Sequence, residues 1–390
     1  MKKKIILGYD FLKELGGLER VMFFQANSLY NLYNVELIFS YISEKNCDKI
    51  LKELSLNKMI PIKQISKTKS EILQYLTSLL FSKRLVKIKS DLIISHSFMY
   101  SIMAIKNKEK NNTPYVVNLY HPPNFLYNTS LKWANNLPRK FAYLLGLIFG
   151  NYLRNIDKKA IRNADAVIAI SKYTAKRIKE IYGINPIIIY PMLAKDFKII
   201  KEADAVKNLE RFNLEKPYIL LHGRMIKDKR PDMAVKAFSI VQKKLDIDLV
   251  ISGTIEEEEN IKSLIKNLGI EKKVHILGRV SNDELISLYN MAKCFLMSAP
   301  KEDFGLTPIE AMACGCPVVA WKDGAGPEET IHDNKTGYLA KPYSTDDFAN
   351  KIVLCLKSKL NKKEISKSVN KFSEVNIKKD FLRVINKISF

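Results

Sequence analysis

The chain is short of the residues that would build a secreted framework or a metal centre. Of 390 residues only five are cysteine, at 47, 294, 314, 316 and 355. None is paired at C-x-x-C spacing and most stand in apolar runs, so they read as reduced core residues of a cytosolic protein. Histidine is equally scarce, and none lies near Cys314 and Cys316 to complete a zinc site. No run reaches the ~20 apolar residues that cross a bilayer. The most apolar stretch, LPRKFAYLLGLIFGNYLR at 137–154, is uninterrupted only from Phe141 to Phe149. The start, MKKKIILGYD, has three strong hydrophobes before Gly8 and reads as a first strand, not a signal peptide. The G-x-G-x-x-G of a dinucleotide site is missing, which argues against a dehydrogenase. No DNA- or RNA-reading motif is present.

What is there is a long, basic, ordinary globular composition. With 47% hydrophobic residues, the chain exceeds one common core and suggests two domains of nearly 200 residues. The net charge of +23 is uneven: 30 Lys and Arg face 13 Asp and Glu up to residue 190, against 34 and 28 beyond it. An excess of that kind suits nucleic acid, anionic lipid or a phosphorylated substrate, and a Lys-rich genome produces it with no partner at all.

Along the chain, strand-like and helix-like segments alternate, the pattern of a parallel sheet whose ligands collect at the carboxyl ends of its strands. Lys4 to Gly8 reads as a strand, and Gly16-Gly17-Leu18-Glu19-Arg20 opens a helix whose glycines would let backbone approach a phosphate. Glu19 and Arg20 suit local packing equally. VELIFSYI, a Lys-rich helix near 68–88 and DLIISHS at 91–97 follow, with His96 in a structural role. YVVNLYHPPNFLY, 115–127, reads as the next strand, with His121 at its carboxyl end before two prolines. Segment 137–154, flanked by Arg139, Lys140 and Arg154, suits either a membrane-surface helix or a core helix. Ser171 caps the helix of 164–184 and Gly183 stops it. A hinge near Pro191 separates a first domain, 1–190, from a second, 191–374, and an amphipathic helix occupies about 375–390.

The second half repeats the alternation. Tyr218 to Leu221 is a strand running into HGRMIKDK, where Arg224 and Lys229 could clamp a diphosphate, although a basic loop is more often merely solvated. DIDLVISG is a strand ending at Gly253, with Asp246 and Asp248 as a solvated entry. Glu256 to Glu259 sit at a helix start, where they complement its dipole. VHILG leads into Arg279-Val280. KEDFGLTPIEAMACGCPVVAW, 301–321, sets Glu302 and Glu310 eight positions apart around Phe304, Gly305 and Leu306, with a helix expected from Thr307-Pro308 to Gly315. A loop that favours an anion between two carboxylates suits a sugar nucleotide. Thr307-x-x-Glu310 is also a capping box, which would leave Glu310 only to close the helix end.

The stretch 301–321 resembles the retaining glycosyltransferases of family 4, whose signature E-x-F-G-x-x-x-x-E-A-x-A-x-G-x-P-V holds at Glu302, Phe304, Gly305, Glu310, Ala311, Ala313, Gly315, Pro317 and Val318. GPEETI at 326–331 and NKTGYL at 334–339 continue it. G-R-x-x-x-x-K at Gly223, Arg224 and Lys229, and G-G-x-E-R at Gly16 and Gly17, match too. The resemblance implies the α/β fold called GT-B, two Rossmann-like domains with a donor cleft between them, and a last helix packing back on the first domain. It implies catalytic roles for His121, Glu302, Arg224 and Lys229. It implies donor binding by Gly16, Gly17, Ser171, Gly253, Arg279, Val280, Phe304, Gly305, Leu306 and Glu310.

The expected activity is transfer of a hexose, by preference mannose from GDP-mannose, to a hydroxyl of a glycan or lipid-linked acceptor. No cofactor, metal or nucleic acid is expected. The expected location is cytoplasmic, with possible attachment to an anionic inner membrane face. A UDP-sugar enzyme, an inactive sugar-nucleotide scaffold and a nucleic-acid-binding module stand as alternatives.

Overall fold

The structure is a computed structural model that describes residues 2–12, 16–42, 60–64, 89–127, 137–256 and 258–390. The helix expected near 68–88 and Cys47 lie outside these residues. The chain divides into two compact units, Met1–Pro191 with Ile377–Phe390, and Met192–Asn376.

In the first unit the described strands form one parallel sheet of β1 (Lys4–Leu12), β2 (Asn34–Ile42), β3 (Ile62–Gln64), β4 (Leu92–Ser95), β5 (Tyr115–Asn118), β6 (Ala166–Ala169) and β7 (Ile187–Ile188), in the order β3-β2-β1-β4-β5-β6-β7. β1 lies inside the sheet between β2 and β4, and Ile5, Leu7 and Leu12 are fully buried, as a strand covered on both faces requires. Gly8 is needed there, because a Cβ would stand 1.9 Å from the Tyr100 ring on the covering helix Phe98–Asn111. The strand expected over 115–127 ends at Asn118. Past it Pro122 and Pro123 cannot donate to a ladder, and Asn124–Tyr127 turns into a short helix.

The apolar segment belongs to a helix of 26 residues, Leu137–Arg162, longer than its hydrophobic core. Its second half is anchored by Asp157, 1% exposed, whose Oδ2 accepts hydrogen bonds from Tyr127 at 2.8 Å and Tyr182 at 2.7 Å. Burial lifts that carboxyl to about 6, and the two tyrosine bonds hold it back. Around its middle Leu144, Leu147, Ile148, Phe149 and Tyr152 are each more than half exposed. Among the described residues no helix is long and apolar enough to cross a membrane.

In the second unit the sheet is again parallel, β10 (Val274–Gly278), β9 (Asp248–Ser252), β8 (Tyr218–His222), β11 (Phe295–Met297), β12 (Val318–Trp321) and β13 (Gly337–Ala340), in that order. Trp321 and Phe348 pack 4.3 Å apart in its core, and Cys294, Cys314, Cys316 and Cys355 are buried free thiols. The Asp pair before β9 is not uniformly solvated. Asp246 is exposed between Lys216 and Lys273, whereas Asp248 is 7% exposed and bonds His275 Nε2 at 2.8 Å. The difference follows from register: Asp248 already pairs with Tyr218 inside the sheet. The last helix, Glu374–Ile385, passes from this unit into the first and buries Ile377, Phe381, Val384 and Ile385. Two Rossmann-like units of this kind make a GT-B fold.

Candidate functional site

In the second unit the loops after β8, β9 and β10 are tied to one another by backbone. Gly253 donates to the Gly278 carbonyl at 2.7 Å, and Met225 donates to Thr254 at 2.7 Å. A Cβ on Gly253 would stand 2.1 Å from the Gly223 carbonyl, and its φ of 108° disfavours any other residue. Arg224 leaves this edge exposed. Arg279 is exposed, its Nε donating to Thr254 Oγ1 at 3.0 Å, and Val280 is half-buried.

Lys229 ends the tight turn Lys227–Lys229, whose carbonyl accepts from Ser298 Oγ at 3.1 Å. Its Nζ bonds Glu302 Oε2, so the basic loop and the acidic motif meet directly across 73 positions of sequence. Glu302 is fixed from behind as well, its carbonyl accepting from Gly326 at 2.8 Å. Gly326 has no room for a side chain, because a Cβ would come 2.3 Å from Phe304 Cα. Phe304 is 2% exposed and meets Phe372 edge-on.

The helix expected from Thr307 begins at Leu306 and ends at Ala313. Gly305, at φ 88°, makes the turn into it and stands at the cap position with no side-chain cap. Thr307 therefore lies inside the first turn, and the capping box with Glu310 does not form. Pro308 is tolerated there because first-turn N–H groups have no helical partner to lose. Glu310 itself is 6% exposed.

In the first unit the expected residues share the carboxyl edge of the other sheet. Gly16 precedes the helix Gly17–Tyr30, and Glu19 Oε2 accepts the Gly16 N–H at 2.9 Å, so Glu19 holds the turn. Gly17 is exposed. His121 is half-buried, its Nδ1 3.1 Å from the Pro122 carbonyl. Ser171 is fully buried, its Oγ accepting from Thr174 N at 3.0 Å at the start of the helix Lys172–Tyr182.

The sequence reading gives His96 on this edge a structural role and passes over Asp10. His96 is 2% exposed, bonds Tyr120 OH at 2.6 Å through Nδ1, and is pushed down to about 3 by burial, so it stays neutral. Asp10, near the end of β1, is 9% exposed, and its Oδ1 accepts from Ser97 Oγ at 2.9 Å. Burial lifts its carboxyl to about 7 against that bond. A carboxylate near the carboxyl end of a mostly apolar strand was the available signal for Asp10. Nothing in sequence pointed to its pairing with Ser97. Among the described residues no three His, Cys, Asp or Glu side chains cluster as metal ligands would.

The comparisons follow this geometry. The family model described as Glycosyltransferase Family 4 matches residues 15–193, and that described as Glycosyl transferases group 1 matches residues 202–374. The chain is 31% identical over 209 residues to N-acetyl-alpha-D-glucosaminyl L-malate synthase of Bacillus anthracis, covering 53% of this chain and 54% of that one. It is 27% identical over 261 residues to alpha-1,3/1,6-mannosyltransferase ALG2 of Dictyostelium discoideum, covering 60% of each. The matches span about half the length of such curated relatives. Among solved structures, HepE of Anabaena in complex with UDP superposes with a TM-score of 0.77 at 17% identity, covering 99% of this chain and 100% of that one. Sucrose-phosphate synthase of Thermosynechococcus elongatus does so with 0.77 at 16%, covering 99% of each. With one model on each unit, mannosyltransferases among the relatives and the glutamate signature in place, the chain belongs to glycosyltransferase family 4.

Proposed function

We propose that the protein is a retaining, metal-independent glycosyltransferase that moves a hexose, mannose from GDP-mannose, to a hydroxyl of a glycan or lipid-linked acceptor. The observation that carries this is the Lys229–Glu302 pair, a cation and a carboxylate from two separate motifs joined on one sheet edge. Arg224 and Lys229 take the charge that grows on the departing diphosphate, the role a metal ion plays in other transferases. Glu302 holds hydroxyls of the transferred sugar and Glu310 those of the ribose. Gly253, Arg279, Val280, Phe304, Gly305 and Leu306 shape the rest of the donor seat. Gly16, Gly17, His121 and Ser171 serve from the first unit, which we take as the acceptor-side domain of about 1–190. With no enzyme nucleophile assigned, the leaving phosphate takes the acceptor proton on the face from which it departs. The bond from the acceptor oxygen to the anomeric carbon forms as the bond to phosphate breaks.

Mannose is supported by the mannosyltransferases among the relatives, ALG2 and a GDP-mannose-dependent phosphatidylinositol monomannoside mannosyltransferase. A UDP-sugar donor is the second reading, favoured by the neighbour solved with UDP-glucose. Thermal stabilisation by GDP-mannose, UDP-glucose and UDP-N-acetylglucosamine separates them, because only a ligand bound by the folded state raises the melting temperature. No stabilisation by any of the three would remove the reading. A cytoplasmic protein attached to an anionic membrane face is supported by the exposed apolar side chains of helix Leu137–Arg162 and by the basic excess before residue 190.

A further inference from the structure

Two backbone outliers bracket the Lys229–Glu302 pair. Among the described residues six that are not glycine take a left-handed φ, and three of these are asparagines, which tolerate it. The other three are Arg230, Lys301 and Tyr343, at 49°, 49° and 62°. Arg230 directly follows Lys229, and Lys301 directly precedes Glu302. Residues of this kind are strained in the left-handed region and persist only where their surroundings over-determine them.

The surroundings of Lys301 converge on one carboxylate, that of Asp323. Its Oδ1 accepts from Ala325 N at 3.2 Å, the local bond by which an aspartate closes a turn two residues on. A turn residue needs no more than that. Its Oδ2, however, accepts from Lys301 N at 2.8 Å and from Tyr343 OH at 3.2 Å, across 22 and 20 positions of sequence. Lys301 Nζ also donates to the Asp323 carbonyl. Two of the three strained residues are thus tied to the same side chain. Tyr343 is braced in turn against the buried Trp321, edge-on at 5.8 Å. Lys229 is fixed separately, through its carbonyl to Ser298, and its neighbour Arg230 has a carboxylate of its own in Asp232, at 2.8 and 2.9 Å.

We propose that Asp323 is a positioning residue: by holding Lys301 in the left-handed conformation it fixes where the Glu302 carboxylate stands against the transferred sugar. It acts through Lys301 and not on the substrate. The proposal rests on the glycosyltransferase reading above, in which Glu302 holds hydroxyls of that sugar and Lys229 the diphosphate. A carboxylate released from its bearing loses the sugar and leaves the diphosphate seat as it was.

The test measures, by calorimetry on the full chain, the affinities for GDP-mannose, UDP-glucose and UDP-N-acetylglucosamine and for bare GDP and UDP. The proteins are wild type, Asp323→Ala, and Asp323→Ala combined with Lys301→Gly. Asp323→Ala should weaken the nucleotide sugar that wild type binds by about tenfold and the matching bare nucleotide by less than about twofold. Glycine takes the left-handed conformation without strain, so Lys301→Gly in that background should recover about threefold or more of the lost affinity. An unchanged sugar-nucleotide affinity, an equal loss for sugar nucleotide and bare nucleotide, or a loss that glycine does not reverse overturns the positioning role. Should Asp323→Ala fail to melt cooperatively, Asp323→Asn, of the same size, replaces it in both proteins under the same criteria. Failure of wild type to bind any of the three nucleotide sugars sinks the transferase reading and takes the proposal with it, whereas the other adverse results defeat the proposal alone.

Discussion

The carboxyl edges of the two sheets use the same architecture for different physics. In the second unit the edge carries permanent charge at intermediate or full exposure: Arg224, Arg279, Lys229 and Glu302, set on loops that glycines knit together through backbone. In the first unit the edge carries groups that burial drives toward neutrality, Asp10 upward to about 7 and His96 downward to about 3, beside the Gly16 turn that Glu19 holds. Charges left partly in water suit an anionic ligand that brings its own opposite charge, and near-neutral buried donors and acceptors suit hydroxyls.

Several experiments would break or sharpen that contrast. The largest effect is expected from Lys229→Ala or Glu302→Ala. Each should cut transfer about 10²–10³-fold, roughly 2.7–4 kcal/mol of activation energy, with the fold intact by circular dichroism. Undiminished activity in both would dissolve the charged edge as a site. Gly253→Ala should act on the fold itself. Its Cβ would meet the Gly223 carbonyl at 2.1 Å, in a left-handed backbone that costs on the order of 1–3 kcal/mol for other residues, and the melting temperature should fall by several degrees. An unchanged melting curve would show that the three loops are not tied as described.

The buried edge should reveal itself through pH. For Asp10 the folded value of about 7 lies above that of an unfolded aspartate near 3.8, so the folded chain binds the extra proton between them. Its contribution is fully present below the unfolded value and is lost as pH rises toward 7, and Asp157, at about 6, acts in the same sense. His96 acts oppositely: it must stay neutral in the fold, so stability is lost as pH falls below about 6.5. The melting temperature of Asp10→Asn relative to wild type should therefore rise between pH 4 and 7. A flat difference would mean that Asp10 is not buried as a carboxyl. The smallest effect concerns the exposed apolar helix face. Leu147→Glu with Ile148→Glu should lower partition onto phosphatidylglycerol vesicles by about tenfold, a fraction of the ~1.5–3 kcal/mol that full burial of one such side chain is worth. Equal partition would assign that face to something other than a membrane.

Much of this was legible in sequence because the signals are local. Strand–helix alternation, Gly183 as a helix stop and Ser171 as a cap depend on a few neighbouring residues, and the structure has them in place. Local reasoning failed where a neighbouring element set the outcome. Thr307 looked like a cap, but Gly305 takes the left-handed turn first. Asp248 looked solvated beside Asp246, but its pairing with Tyr218 carries it into the sheet. The apolar run 137–154 suits both core and membrane surface, because periodicity shows a face and not what covers it.

By itself the sequence determined the class of fold, the family and the pieces of the charged site, since each is written in spacings of a dozen residues or fewer. Only the tertiary structure decided which pieces touch. Lys229 meets Glu302 across 73 positions and Ser97 meets Asp10 across 87. Those meetings follow from the order in which strands are laid beside one another, which is set by the packing of the whole sheet rather than by any segment of it.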